Sequence, residues 1–238
     1  MSRPWAHTKA GSAAPNHEQN RVYIETGKSR CFACSLDWPG LSRSGKGEEE
    51  ALSALSDYVP RYAAVAAKAK VEFPLTEAHP WSVVQRVPTR SGGADFGAPT
   101  AVVDDDAADW PDADVRRTAA LLAASWDYLD EVAAAAPLSL RKGPRGGGRD
   151  RDAITQHVAA GEQLYVRKVG LKLPVPHEGE RAVVLGNRAA ILEWCRSGGV
   201  VAPGAAAPGR ATWPPRYVSR RLIWHILDHA WEIEDRAG

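Results

Sequence analysis

RRLIWHILDHAWEIEDR, residues 220–236, decides the reading of the C-terminal half. Val218, Leu222, His225, Ile226, His229 and Ile233 recur at intervals of three, four and seven, which winds them into one stripe of a helix. The stretch contains neither glycine nor proline, so the spacing predicts a single helix over about 216–236. His225 and His229 are one turn apart and project from the same apolar face.

Reading backwards, VVAPGAAAPGRATWPP (200–215) is a loop, and Gly198-Gly199 closes a helix over about 181–196. DRDAITQHVAAGEQLYVRK (150–168) opens on Asp150 or Asp152 as a cap and carries Ile154, His157, Val158, Gly161, Leu164 and Tyr165 at helical spacing. PLSLRKGPRGGGR (137–149) is a loop, preceded by a helix over about 112–135 with Thr118, Leu122, Ser125, Leu129 and Val132 on one face. Four helices joined by polar, Gly/Pro-rich connections predict a four-helix bundle over 112–238.

The N-terminal half follows a different period. In RVYIETGKSRCFACSLDWPG (21–40) the apolar residues alternate around Gly27-Lys28, as in a β-hairpin. From Ala51 to Ala66 the spacing becomes helical, with Glu48, Glu49 and Glu50 at the positive end of the helix dipole and Pro60 breaking the stripe. A further strand is expected over Trp81 to Val87. Residues 88–111 carry glycine, proline and an acidic run without a period, and read as a linker or long surface connection. Residues 1–20 read as a disordered tail. The expected class is therefore α+β: a small αβ module over 21–87 (hairpin, helix, further strand), then an all-α bundle.

Composition excludes several functions. Thirty basic residues against 29 acidic ones give a formal charge of +1, which exerts no general pull on nucleic acid or an anionic membrane. No apolar run spans a bilayer and the polar N-terminus offers no signal peptide, so a cytoplasmic protein is expected. Three cysteines argue against a disulfide framework. Cys31 and Cys34 fall within a strand, where a spacing of three sends them to opposite faces, and Cys195 reads as packing. His7 and His17 belong to the tail, and His79 and His177 lie beside prolines in loops.

The chemistry-bearing constellation is His157 with His225 and His229. Three core-facing imidazoles on two helices can supply three nitrogen ligands to one divalent ion and leave a coordination position open. Zinc is the first expectation, with nickel, iron or manganese as alternatives. Ile226 stands where a zinc peptidase of the His-Glu-x-x-His type carries its catalytic glutamate, so peptidase chemistry is excluded. Glu162, Asp228 and Glu232 are candidates to orient the imidazoles from behind. Arg220 and Arg221 read as binding an acidic substrate or as surface charges, and Tyr165 as packing or pocket wall. No nucleophile or general base stands out.

Those two helical segments resemble the DinB-like superfamily of metal-binding four-helix proteins, which pairs a histidine of the second helix with His-x-x-x-His in the fourth; His157, His225 and His229 match those positions. The resemblance covers about residues 112–238. It implies a metal-dependent transferase or hydrolase, the transferases of that superfamily using a low-molecular-weight thiol such as mycothiol or bacillithiol, with catalytic residues unassigned. Asp37-Trp38-Pro39-Gly40, Gly45 and Glu49-Glu50-Ala51-Leu52 resemble the HicB-like antitoxin fold over about 21–87. The alternative function is thus a non-catalytic, metal-stabilised binding or regulatory protein with an antitoxin-like module. A homodimer is compatible with either.

Overall fold

The first strand is buried on both faces, and that fact organises the N-terminal half. The structure, a computed structural model, describes residues 20–89, 92–143, 148–200 and 213–238. Nearly all of the tail expected over 1–20, with His7 and His17, lies outside them. β1 (Arg21–Thr26) pairs antiparallel with β2 (Cys31–Ser35), Ile24 facing Ala33 and Tyr23 facing Cys34. β2 pairs antiparallel with β3 (Ser42–Gly45), and β4 (Ser82–Pro88) joins the other side of β1 in parallel, giving the order β3-β2-β1-β4. The parallel pairing requires a crossover, supplied by α1 (Glu48–Asp57) and α2 (Val59–Lys68). These two helices meet at Tyr58, two residues before Pro60, whose ring removes a backbone donor and forces the break expected there.

Side-chain alternation sends Val22, Ile24, Cys31 and Ala33 to the main core, with Ala51, Leu55, Tyr62 and Val65 of α1 and α2. Tyr23, Phe32 and Cys34 face the other way, against Ala94, Ala101, Val103 and Trp224. Cys31 and Cys34 therefore do lie on opposite faces. The connection 88–111 supplies much of that second cover. Glu25, fully buried on β1, is satisfied by it: the Thr89 hydroxyl (2.6 Å) and the main-chain N–H groups of Thr100 (2.7 Å) and Ala101 (2.9 Å) all donate to its carboxylate. A single 3-10 turn follows at Asp104–Ala107.

The remaining elements are α3 (Asp112–Ala135), α4 (Arg151–Val166), α5 (Arg181–Arg196) and α6 (Pro215–Ala237). α6 packs along α3 and α4, while α5 packs on α3 and α4. Among the described residues the architecture is α+β, a four-stranded mixed sheet and six α-helices. None of these helices is long and apolar enough to cross a membrane.

The main core runs without interruption from the sheet into the helices: Trp38, Leu41 and Tyr62 belong to the same cluster as Leu121, Leu222 and Ile223. Gly40 marks the closest approach. Its φ of +94° and the Ile223 side chain, which occupies the place of a Cβ, both require glycine in this turn. Arg220 ties the same helix to the other face of β1. Its guanidinium donates to Asp106 Oδ2 (2.6 Å) and to the Tyr23 hydroxyl, all three side chains being buried. The expectation that Arg220 serves a substrate or the surface is thus corrected: the charge is consumed inside the fold. Arg221 donates to the Pro99 carbonyl oxygen.

One core expectation fails. Leu164, placed on the apolar stripe of α4, is 55% exposed, and Glu162 is buried instead. The carboxylate is tolerated because the Trp126 indole N–H donates to it (2.6 Å) and Arg188 lies 4.0 Å away.

Candidate metal centre

His157 on α4 and His225 and His229 on α6 meet where the two helices cross. Their ring centroids are 5.0 Å (His157–His225), 4.9 Å (His157–His229) and 4.8 Å (His225–His229) apart. One nitrogen from each lies within 4.8 Å of the others. His225 Nε2 and His157 Nε2 are 3.2 Å apart, close to the ~3.3 Å between two ligands bound at about 2.0–2.1 Å in a tetrahedral zinc site.

His225 is the buried member. Burial, reinforced by His229 and then His157, pushes its pKa down to about 2, so the ring is neutral and presents a lone pair. Burial and the charge of His229 lower His157 as well. Tyr165 packs edge-on against His225 with centroids 5.4 Å apart, as a pocket wall does. The other side of the ring is cleared by Gly161, one turn beyond His157: a Cβ there would lie 2.6 Å from His225 Cε1 and 3.1 Å from Nδ1. Gly161 enters the sequence reading only as part of the stripe. Its signal is an isolated glycine inside a helix, which costs about 1 kcal/mol relative to alanine and needs a reason.

The three carboxylates considered as supports part company. Glu232 Oε2 lies 2.8 Å from His229 Nδ1, so the ring donates its Nδ1 proton and leaves Nε2 as the ligand atom; the other oxygen accepts from Arg236 (2.6 Å). Arg236 in turn donates through Nε to the Arg141 carbonyl (2.7 Å). Asp228 is engaged by Arg43 of β3 (2.7 Å), and Glu162 by Trp126 and Arg188. Glu232 is the one that reaches an imidazole.

The donor set fits a cation. His225 Nδ1 is buried without a hydrogen-bond partner among the described residues, and Nε2 faces another imidazole nitrogen. Between two facing neutral rings one Nε2 must carry a proton for the other to accept, whereas an ion would engage both Nε2 lone pairs at once; Nδ1 of His225 stays unpartnered in either case. Three imidazoles and no thiolate suit zinc, nickel or iron better than magnesium or calcium. The three cysteines are buried elsewhere, Cys34 and Cys195 with thiols that burial raises to about 11.

The chain matches no family model, no curated protein and no solved structure. The DinB-like and HicB-like likenesses accordingly rest on the residues quoted for them.

Proposed function

We propose that His157, His225 and His229 hold a divalent ion, zinc first, and that the protein is a metal-dependent transferase of the DinB-like type that takes a low-molecular-weight thiol as co-substrate. On this reading α3 to α6 form the four-helix bundle of that superfamily. The convergence of three imidazoles from two helices, one nitrogen of each within 4.8 Å of the others and the His157 and His225 Nε2 atoms 3.2 Å apart, carries the proposal. A bound ion would supply Lewis acidity, lowering the pKa of a coordinated thiol or water toward neutrality. The chain's own residues do the rest. Glu232 fixes the tautomer and orientation of His229, Gly161 admits the His225 ring, and Tyr165 shields it from water.

The decisive measurement is metal content of the purified protein beside His225→Ala. Near-stoichiometric metal lost in the variant supports the site; none in either preparation sinks it.

A second reading draws on the position of His225, buried between α4 and α6. An ion there would clamp two helices in a non-catalytic protein whose N-terminal module binds a partner. Melting with and without a chelator, followed by an assay of thiol transfer to an electrophile, separates the two: a large loss of stability without turnover favours the clamp.

A further inference from the structure

Beside the histidines, toward the end of α6, lies an open groove of about 630 Å³ whose walls include Arg43, Tyr58, Arg141, Lys142, Trp231 and Arg236. That volume is within the range of small-molecule sites. Three carboxylates also face it, and each is already engaged: Asp228 by Arg43 (2.7 Å), Glu232 by Arg236 (2.6 Å) and Asp235 by Arg61 (2.9 Å). The cations are not all matched in return. Arg141 is held by the main-chain oxygens of Asp235 (2.6 Å) and Gly238 (3.0 Å), and Lys142 has no ion-pair partner among the described residues. Arg43 lies over the rings of Tyr58 and Trp231 (3.7 and 4.5 Å to the centroids), and its Nε and Nη2 are buried without partners among those residues.

A helix C-terminus attracts cations through its dipole, and that accounts for Arg141. It does not account for Lys142 or for the two unpartnered nitrogens of Arg43. We propose that this groove binds a small organic molecule through a single carboxylate, which Lys142 and Arg141 recognise while the Arg43–Tyr58–Trp231 stack flanks its body. With Arg43 set against Asp228, Arg236 against Glu232 and Arg141 held by the main-chain oxygens that end α6, Lys142 is the wall cation left unmatched among the described residues, and a single charge balances a monocarboxylate better than a phosphate monoester with close to two charges. Glu232 is both a wall of the groove and the support of His229, so the occupant lies one side chain from the histidine triad. Binding itself requires no ion.

The test is a titration of ¹⁵N-labelled full chain, metal-free and zinc-treated, with phenylacetate, its neutral amide and phenyl phosphate. Phenylacetate should give saturable shifts of the Gly143 amide and Trp231 indole signals in both preparations, with the amide inert and phenyl phosphate weaker. The exposed substitution Lys142→Glu should weaken phenylacetate binding at least tenfold without altering the remaining spectrum. No saturable shift at a concentration on the order of 10 mM, enough to fill a millimolar site, would overturn the proposal. So would equal binding of the amide, tighter binding of phenyl phosphate, or indifference to Lys142→Glu. Anion binding in a protein that fails to take up metal would refute the metal reading and leave this one standing.

Discussion

Gly161→Ala adds one methyl group at the point where α4 passes His225. The new Cβ would lie 2.6 Å from Cε1 and 3.1 Å from Nδ1. Carbon atoms settle at about 3.5–4.0 Å, so the ring must retreat by roughly 0.9 Å. It has little room, being 5% exposed and backed by Tyr165. Overpacking of this kind costs about 1–3 kcal/mol, offset by about 1 kcal/mol of improved helix propensity, so the metal-free variant should lose at most about 2 kcal/mol. The effect on metal should be larger. Ligand distances tolerate about 0.2 Å, and a displacement several times that removes His225 as a ligand. Affinity should fall at least about 100-fold, close to 3 kcal/mol. Gly186→Ala is the control: it lies exposed on α5 with nothing near its Cβ, and should stabilise by about 0.5–1 kcal/mol. Zinc titration and the visible spectrum of the cobalt-substituted protein read the outcome. If Gly161→Ala binds metal as tightly as the native chain, with an unchanged cobalt spectrum, the assignment of Gly161 and the geometry built on it are wrong.

Three further outcomes are expected. His225 is depressed from 6.5 to about 2, so the unfolded chain takes up a proton that the native chain refuses; its stabilising contribution is present above pH ~6.5 and lost as pH falls, about 2 kcal/mol between pH 7 and 5, measured by urea unfolding of metal-free protein. His225→Asn should flatten that slope. Glu162 has the opposite sign. Raised from 4.5 to about 7 by burial, it weakens the fold as pH rises through that window, and Glu162→Gln should gain about 1–3 kcal/mol at pH 8 and little at pH 4, since the amide oxygen still accepts from Trp126. Arg220→Leu leaves Asp106 buried without its partner and should cost about 3–5 kcal/mol in denaturant unfolding; adding Asp106→Asn should recover most of it, and additive losses would refute the pairing.

The helices were legible because their signals are local. Pro60 marks the break between α1 and α2, and the apolar stripes with Gly198-Gly199 place α3 to α6 within a residue or two of their observed ends. β3 was not legible: Ser42–Gly45 is short and polar, and is a strand only because it pairs with Cys31–Cys34. The parallel seating of β4 on β1 likewise depends on a crossover that no window of sequence reports. At the candidate site, the i+3 step from His229 to Glu232 could be read along one helix. The diversion of Asp228 to Arg43 could not, since 185 residues separate the two. Glu162 deceived for the same reason, its partners lying on α3 and α5.

The contact between Arg220 and Tyr23 joins residues 197 positions apart. During synthesis at about 5–20 residues per second, β1 must wait roughly 10–40 s after leaving the ribosome before α6 exists to cover it. Until then both apolar faces of the hairpin lack part of their final cover. A nascent chain arrested before α6 should therefore bind holdase chaperones, and release should coincide with the emergence of the helix that also carries His225 and His229.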